Sequence, residues 1–86
     1  MSYNISLKKS AEKSLILLDD KIHNRLIDKI ISLSENPRPV NAKKLKSNEY
    51  YRIRFGDYRI LYTINDKLKD IEIIAIDHRK DAYRNL

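Results

Sequence analysis

The 86 residues contain no cysteine, a single glycine and two prolines. Without thiols the chain has neither disulfides nor thiolate metal ligands to reinforce it, a composition that fits a reducing compartment. With Gly56 as the sole glycine, no Gly-rich loop can wrap a phosphate chain. Leu15-Ile16-Leu17-Leu18 is as long an aliphatic run as the chain has, far short of a bilayer's thickness. Met1 to Ser6 lack the basic start and apolar stretch of a secretory signal. The two histidines, His23 and His78, lie far apart and the carboxylates are scattered, so no metal-ligand spacing is visible. No Ser-His-Asp order, internal repeat or low-complexity segment stands out. These absences point to a cytoplasmic chain, a single domain over residues 1–86, without cofactor, metal or membrane role. A domain of this size has a thin core and is only marginally stable.

What is present is positive charge, unevenly spread. The formal net charge is +6. Residues 37–59 hold Arg38, Lys43, Lys44, Lys46, Arg52, Arg54 and Arg59 against only Glu49 and Asp57, whereas residues 60–77 are net acidic. A local basic excess calls for an anionic partner: RNA, DNA or an acidic protein. A membrane surface fits less well, because these cations do not line one face of an amphipathic helix.

The patterning gives the order β-α-α-β-β-β. Tyr3, Ile5 and Leu7 alternate with polar residues as in a strand. Ser6 is placed to cap a helix whose apolar face is Leu7, Ala11, Leu15 and Leu18. Asp19 or Asp20 can cap a second helix, where acidic charge also suits the dipole. That helix carries Ile22, Leu26, Ile30 and Leu33, with Ile27 and Ile31 widening the stripe, and ends at Asn36-Pro37. Pro37 to Asn48 reads as a basic connector anchored by Leu45. Tyr50–Phe55 and Tyr58–Ile64 read as strands joined by a two-residue turn, Gly56-Asp57, with glycine where positive φ is needed. Ile71–Ile76 reads as an apolar inner strand. The fold class is α+β: an N-terminal strand and a two-helix hairpin covering one face of a small antiparallel sheet.

If helices cover one face, Arg52 and Arg54 project from the other, since alternate strand residues point to opposite sides. Arg59 joins them only if the hairpin register allows it. Guanidinium groups gathered on one surface grip phosphate, and nearby aromatic rings stack on unpaired bases. Tyr51, Tyr58 and Tyr62 fall at core positions of the alternation. Tyr83 lies outside it. His23 reads as a solvated residue on the polar side of its helix. His78, at the end of the apolar strand, is the side chain suited to proton exchange near neutral pH, or simply ends the strand.

Several segments together resemble the RelE/ParE superfamily of bacterial and archaeal toxins, and its RelE branch most. They are Glu35-Asn36-Pro37-Arg38-Pro39, Ala42-Lys43-Lys44-Leu45, Tyr51-Arg52-Ile53-Arg54, Gly56-Asp57-Tyr58-Arg59-Ile60-Leu61-Tyr62, His78-Arg79-Lys80-Asp81 and Tyr83-Arg84. The resemblance implies a toxin of a type II toxin–antitoxin system, neutralised by a RelB-like antitoxin. It implies a metal-independent endoribonuclease that cuts messenger RNA in the ribosomal A site, with the 2′-hydroxyl attacking the adjacent phosphate. Carried over, Arg52, Arg54, Arg59 and Arg79 bind and stabilise the phosphate and Tyr83 orients the nucleotide. The basic side chains Lys43, Lys44, Lys46, Lys80 and Arg84 are further candidate RNA contacts. Some relatives have lysine as base where this chain has arginine, a poor proton acceptor with a pKa above about 12. That leaves His78 or Tyr83 to move protons, or makes catalysis mainly electrostatic. Two rival readings share the fold: a ParE-like inhibitor of DNA gyrase, and a basic binding module without activity.

Overall fold

The computed structural model describes residues 2–45 and 50–78. The elements in chain order are β1 (Asn4–Leu7), α1 (Lys9–Ile16), α2 (Asp20–Glu35), β2 (Lys43–Lys44), β3 (Tyr51–Phe55), β4 (Tyr58–Asn65) and β5 (Asp70–His78). The strands form one sheet in the order β1-β5-β4-β3-β2. The α+β class and the helical hairpin on one face are as expected. Two features depart from the sequence reading. β1 lies parallel to β5, so the sheet is mixed rather than wholly antiparallel. The basic connector also adds a two-residue edge strand, β2, against β3.

Local chemistry explains most of the element ends. Ser6 does not cap α1: it stays in β1, where Leu7 pairs with Ile73 of β5 and packs on the core. Burial of Leu7 in the sheet outweighs one cap bond, and the helix starts after an extended Lys8 with no side-chain cap. Asp19 caps α2, its carboxylate accepting from the Ile22 N–H at 3.1 Å. α2 ends at Asn36, whose extended φ of −142° is what a residue before proline prefers. Gly56 takes φ +59° while Asp57 does not, as in a type II′ hairpin turn.

The core lies between the helices and one face of the sheet. Ala11, Leu15, Leu26, Ile30 and Leu33 are buried against Ile53, Ile60, Tyr62, Ile71, Ile73 and Ile76. Ile27 packs beside them, but Ile31 is exposed. His23 is not a free surface residue: its Nδ1–H donates to the Leu15 carbonyl at 2.9 Å, satisfying an oxygen near the end of α1. No helix among the described residues is long and apolar enough to cross a membrane.

The connector after α2 is held by polar contacts. Arg38 straddles Asp66 with two bonds, at 3.2 and 2.8 Å, and donates from Nε to the Tyr51 hydroxyl at 3.0 Å. Tyr3 donates to the same carboxylate at 2.7 Å. Tyr62, fully buried, donates to the Pro37 carbonyl at 2.7 Å. Burial pushes the Tyr62 hydroxyl up to about 12.

Candidate functional site

The β3–β4 register places three arginines on one face. Arg52 lies opposite Leu61, Ile53 opposite Ile60, and Arg54 opposite Arg59. Ile53 and Ile60 face the helices, so Arg52, Arg54 and Arg59 face the other way. Lys43 of β2 stands opposite Arg52 and extends the row toward the sheet edge. Asn41, Lys43, Arg52 and Arg54 line a cleft of about 280 Å³. Among the described residues the one ion pair is Arg38–Asp66, so none of Arg52, Arg54 and Arg59 is in an ion pair with an acid of that set. Arg54 sits directly across from Arg59, an arrangement that costs stability in the free protein. Arg38, though part of the basic segment, is engaged elsewhere: Asp66 and Tyr51 raise its pKa further.

Two expected members are not in this cluster. Lys44 pairs opposite Tyr51, whose ring packs against the core, so it lies on the other row of the sheet edge. His78 pairs with Tyr58 on the helix side, the two rings edge to face at 4.9 Å. It lines a cleft with Ser14, Leu17, Leu18, Tyr58 and Ile76. His78 therefore lies on the face of the sheet opposite Arg52, Arg54 and Arg59. Arg79, Lys80, Tyr83 and Arg84, and Lys46, lie outside the described residues.

A β-bulge is the cause of the His78 displacement. Leu61 pairs with Ala75 but Tyr62 with Ile73, leaving Ile74 as an extra residue in β5. Ile71 and Ile73 face the core before the bulge, and Ile76 faces it after. The inserted residue therefore inverts the phase of every later position. Without it Asp77 would point toward the helices and His78 toward the arginines. With it, Asp77 pairs directly with Arg59 on the arginine face. The bulge is pinned by α1, for Ser10 donates its hydroxyl to the Ile74 carbonyl at 3.1 Å. The sequence carries a trace of this: apolar residues at Ile71 and Ile73, then at Ile74 and Ile76, break the alternation.

The face is thus a graded surface, with Lys43, Arg52, Arg54 and Arg59 on β2 to β4 and the carboxylates Asp77 and Glu72 on β5. Such a surface can bind a polyanion along the hairpin and stabilise charge developing on a phosphate. No group of three or more metal-ligating side chains occurs among the described residues.

Comparison with known proteins agrees with this arrangement. The model of the ParE toxin of the type II toxin–antitoxin system parDE matches residues 5–83. The chain belongs to the RelE/ParE superfamily of type II toxins. Within it, the curated relatives are named RelE or RelG toxins. The putative toxin RelE1 of Methanocaldococcus jannaschii is 33% identical, with 99% of each chain covered. Toxin RelE of Mycobacterium tuberculosis is 31% identical, over 95% of this chain and 87% of its own. The archaeal RelE–RelB complex from Pyrococcus horikoshii superposes with a TM-score of 0.82 at 30% identity, covering 92% of this chain and 97% of that one. The toxin–antitoxin complex RelBE2 of Mycobacterium tuberculosis gives 0.82 at 27% identity, covering 92% and 100%. This RelE-branch toxin therefore has the sheet and helical hairpin of its relatives.

Proposed function

We propose that this toxin is an endoribonuclease that cuts messenger RNA in the ribosomal A site and thereby stops translation. The observation that carries the reading is the convergence of Arg52, Arg54 and Arg59 on one face, with Arg54 directly opposite Arg59. Like charges held together in a free protein are costly, and a phosphodiester relieves that cost. The 2′-hydroxyl of the substrate is the nucleophile, so no metal-bound water is required. Arg59 and Arg54 bind the non-bridging oxygens, Arg52 and Lys43 hold the flanking backbone, and Arg79 and Tyr83 complete the phosphate and base contacts. A RelB-like antitoxin neutralises the toxin, as the RelE–RelB complexes among the structural neighbours suggest.

The test is to express the wild type and an Arg52→Ala/Arg59→Ala variant and to map the ends of translated messages at nucleotide resolution. Wild type gives cuts at A-site codons and growth arrest. The double variant loses cleavage by about 10²-fold or more, the scale of removing transition-state charge stabilisation. Equal arrest by both proteins with intact messages overturns the reading. A second reading is favoured by the ParE description of the matching family model: a gyrase inhibitor produces gyrase-dependent DNA breaks and leaves messages whole.

A further inference from the structure

The ribonuclease reading leaves a proton without a destination. The 2′-hydroxyl must lose its hydrogen as it attacks, and guanidinium groups are poor acceptors. His78 lies on the helix side of the sheet. Resting on that reading, we propose that Asp77 is the general base of this toxin.

Three independent features place it there. Asp77 stands directly opposite Arg59 in the antiparallel ladder, and Arg59 directly opposite Arg54, so the three side chains form one row across β5, β4 and β3. Facing residues of an antiparallel pair have their Cβ atoms roughly 5 Å apart, a spacing that lets one phosphodiester and its neighbouring ribose span the row. Asp77 is half-buried on this face, and among the described residues its carboxylate makes no ion pair or hydrogen bond. Finally, Asp77 reaches this face only through the Ile74 bulge, which Ser10 pins from α1. Bulges next to active sites re-aim side chains in this way. The other carboxylate of the face, Glu72, stands opposite Thr63, well along the strand from Arg59.

The step balances within substrate, side chain and solvent. A carboxylate oxygen of Asp77 takes the 2′-hydroxyl proton while the 2′ oxygen forms a bond to phosphorus. The bond from phosphorus to the 5′ oxygen breaks, its electron pair leaves on that oxygen, and a solvent water supplies the proton it needs. Asp77 then returns its proton to solvent. The products are a 2′,3′-cyclic phosphate and a 5′-hydroxyl. Arg59, beside Asp77, carries the charge of the transferring phosphate.

A merely electrostatic role for Asp77 predicts the opposite mutational sign. If the carboxylate only offsets Arg59, then Asp77→Asn strengthens the basic face, tightens RNA binding and holds or raises the rate. If it is the base, binding tightens or stays while the single-turnover rate on ribosome-bound message falls by about 10²-fold or more. Asp77→Glu keeps the carboxylate and recovers part of that rate. A urea midpoint for each variant checks that the fold is intact. Undiminished cleavage by Asp77→Asn, with the wild type active, overturns the assignment and spares the ribonuclease reading. A wild type that leaves ribosome-bound message whole overturns both.

Discussion

Arg54 and Arg59 face one another directly across the β3–β4 ladder, on the side of the sheet away from the helices. Like charges at facing positions repel, by about 0.2–1 kcal/mol for such pairs. Arg54→Gln therefore stabilises the free protein by an amount of that order and, on the ribonuclease reading, weakens its grip on RNA. Urea denaturation reads the first effect and filter binding of a short RNA the second. Added salt narrows the stability gap, because it screens exposed charges. A variant that is both less stable and a better RNA binder would show that the pair is not under repulsion.

Much of this architecture is legible in the residues, and each exception has a physical cause. Gly56-Asp57 with flanking alternation specifies the hairpin, and its register brings Arg59 to the side of Arg52 and Arg54. Asp19 and Pro37 mark the ends of α2 because capping and proline sterics are local. The parallel β1–β5 pairing has no local signal: its partners lie more than 60 residues apart. The same holds for Arg38, whose partner Asp66 comes from a distant turn. β2 is too short for a period to show. His78 and Asp77 exchange faces through one inserted residue, and strict alternation assigns both to the wrong side. Non-local pairing and a bulge are thus what a residue-by-residue reading loses here.

Asp66 makes stability depend on acid. Bonds from Arg38 and from Tyr3 lower its pKa from 3.8 to about 2. A carboxyl more acidic in the folded state stabilises it above the unfolded pKa, and that contribution fades as pH falls from about 4 to about 2. The urea midpoint of Asp66→Asn therefore lies below that of wild type at pH 6, and the difference shrinks as pH approaches 2. A difference that is constant across this range would mean the side chain acts by shape rather than charge.

Tyr62 ties the connector to the sheet through its hydroxyl. Tyr62→Phe keeps the ring, which stacks on Tyr51 with centroids 5.8 Å apart, but leaves the Pro37 carbonyl without its donor. The expected loss is about 0.5–1.5 kcal/mol in urea unfolding. The hydroxyl also predicts an alkaline limb. Tyr62 titrates near 12 when folded against 10.0 for an ordinary tyrosine. The raised value stabilises the fold fully below about pH 10, and the contribution is lost as pH rises from there toward 12. Tyr62→Phe lacks that limb, so the two proteins converge in stability across this window.

Gly56 links backbone geometry to the site. Its φ is +59°, and a Cβ placed there meets nothing within 4 Å. The cost of Gly56→Ala is therefore conformational rather than steric contact with neighbours, on the order of 1–2 kcal/mol for a side chain in left-handed backbone. Because this turn sets the register that opposes Arg54 and Arg59, relaxation of the turn also disturbs the proposed phosphate grip. Cleavage of ribosome-bound message by Gly56→Ala should fall further than its unfolded fraction accounts for, when both are measured at one temperature where the variant is mostly folded. The control is Leu33→Ala, a buried position away from the hairpin, which loses about 2–5 kcal/mol and should lower cleavage only in proportion to the folded population. If the two variants fall on one line of activity against folded fraction, the turn contributes stability alone and the arginine register tolerates its loss.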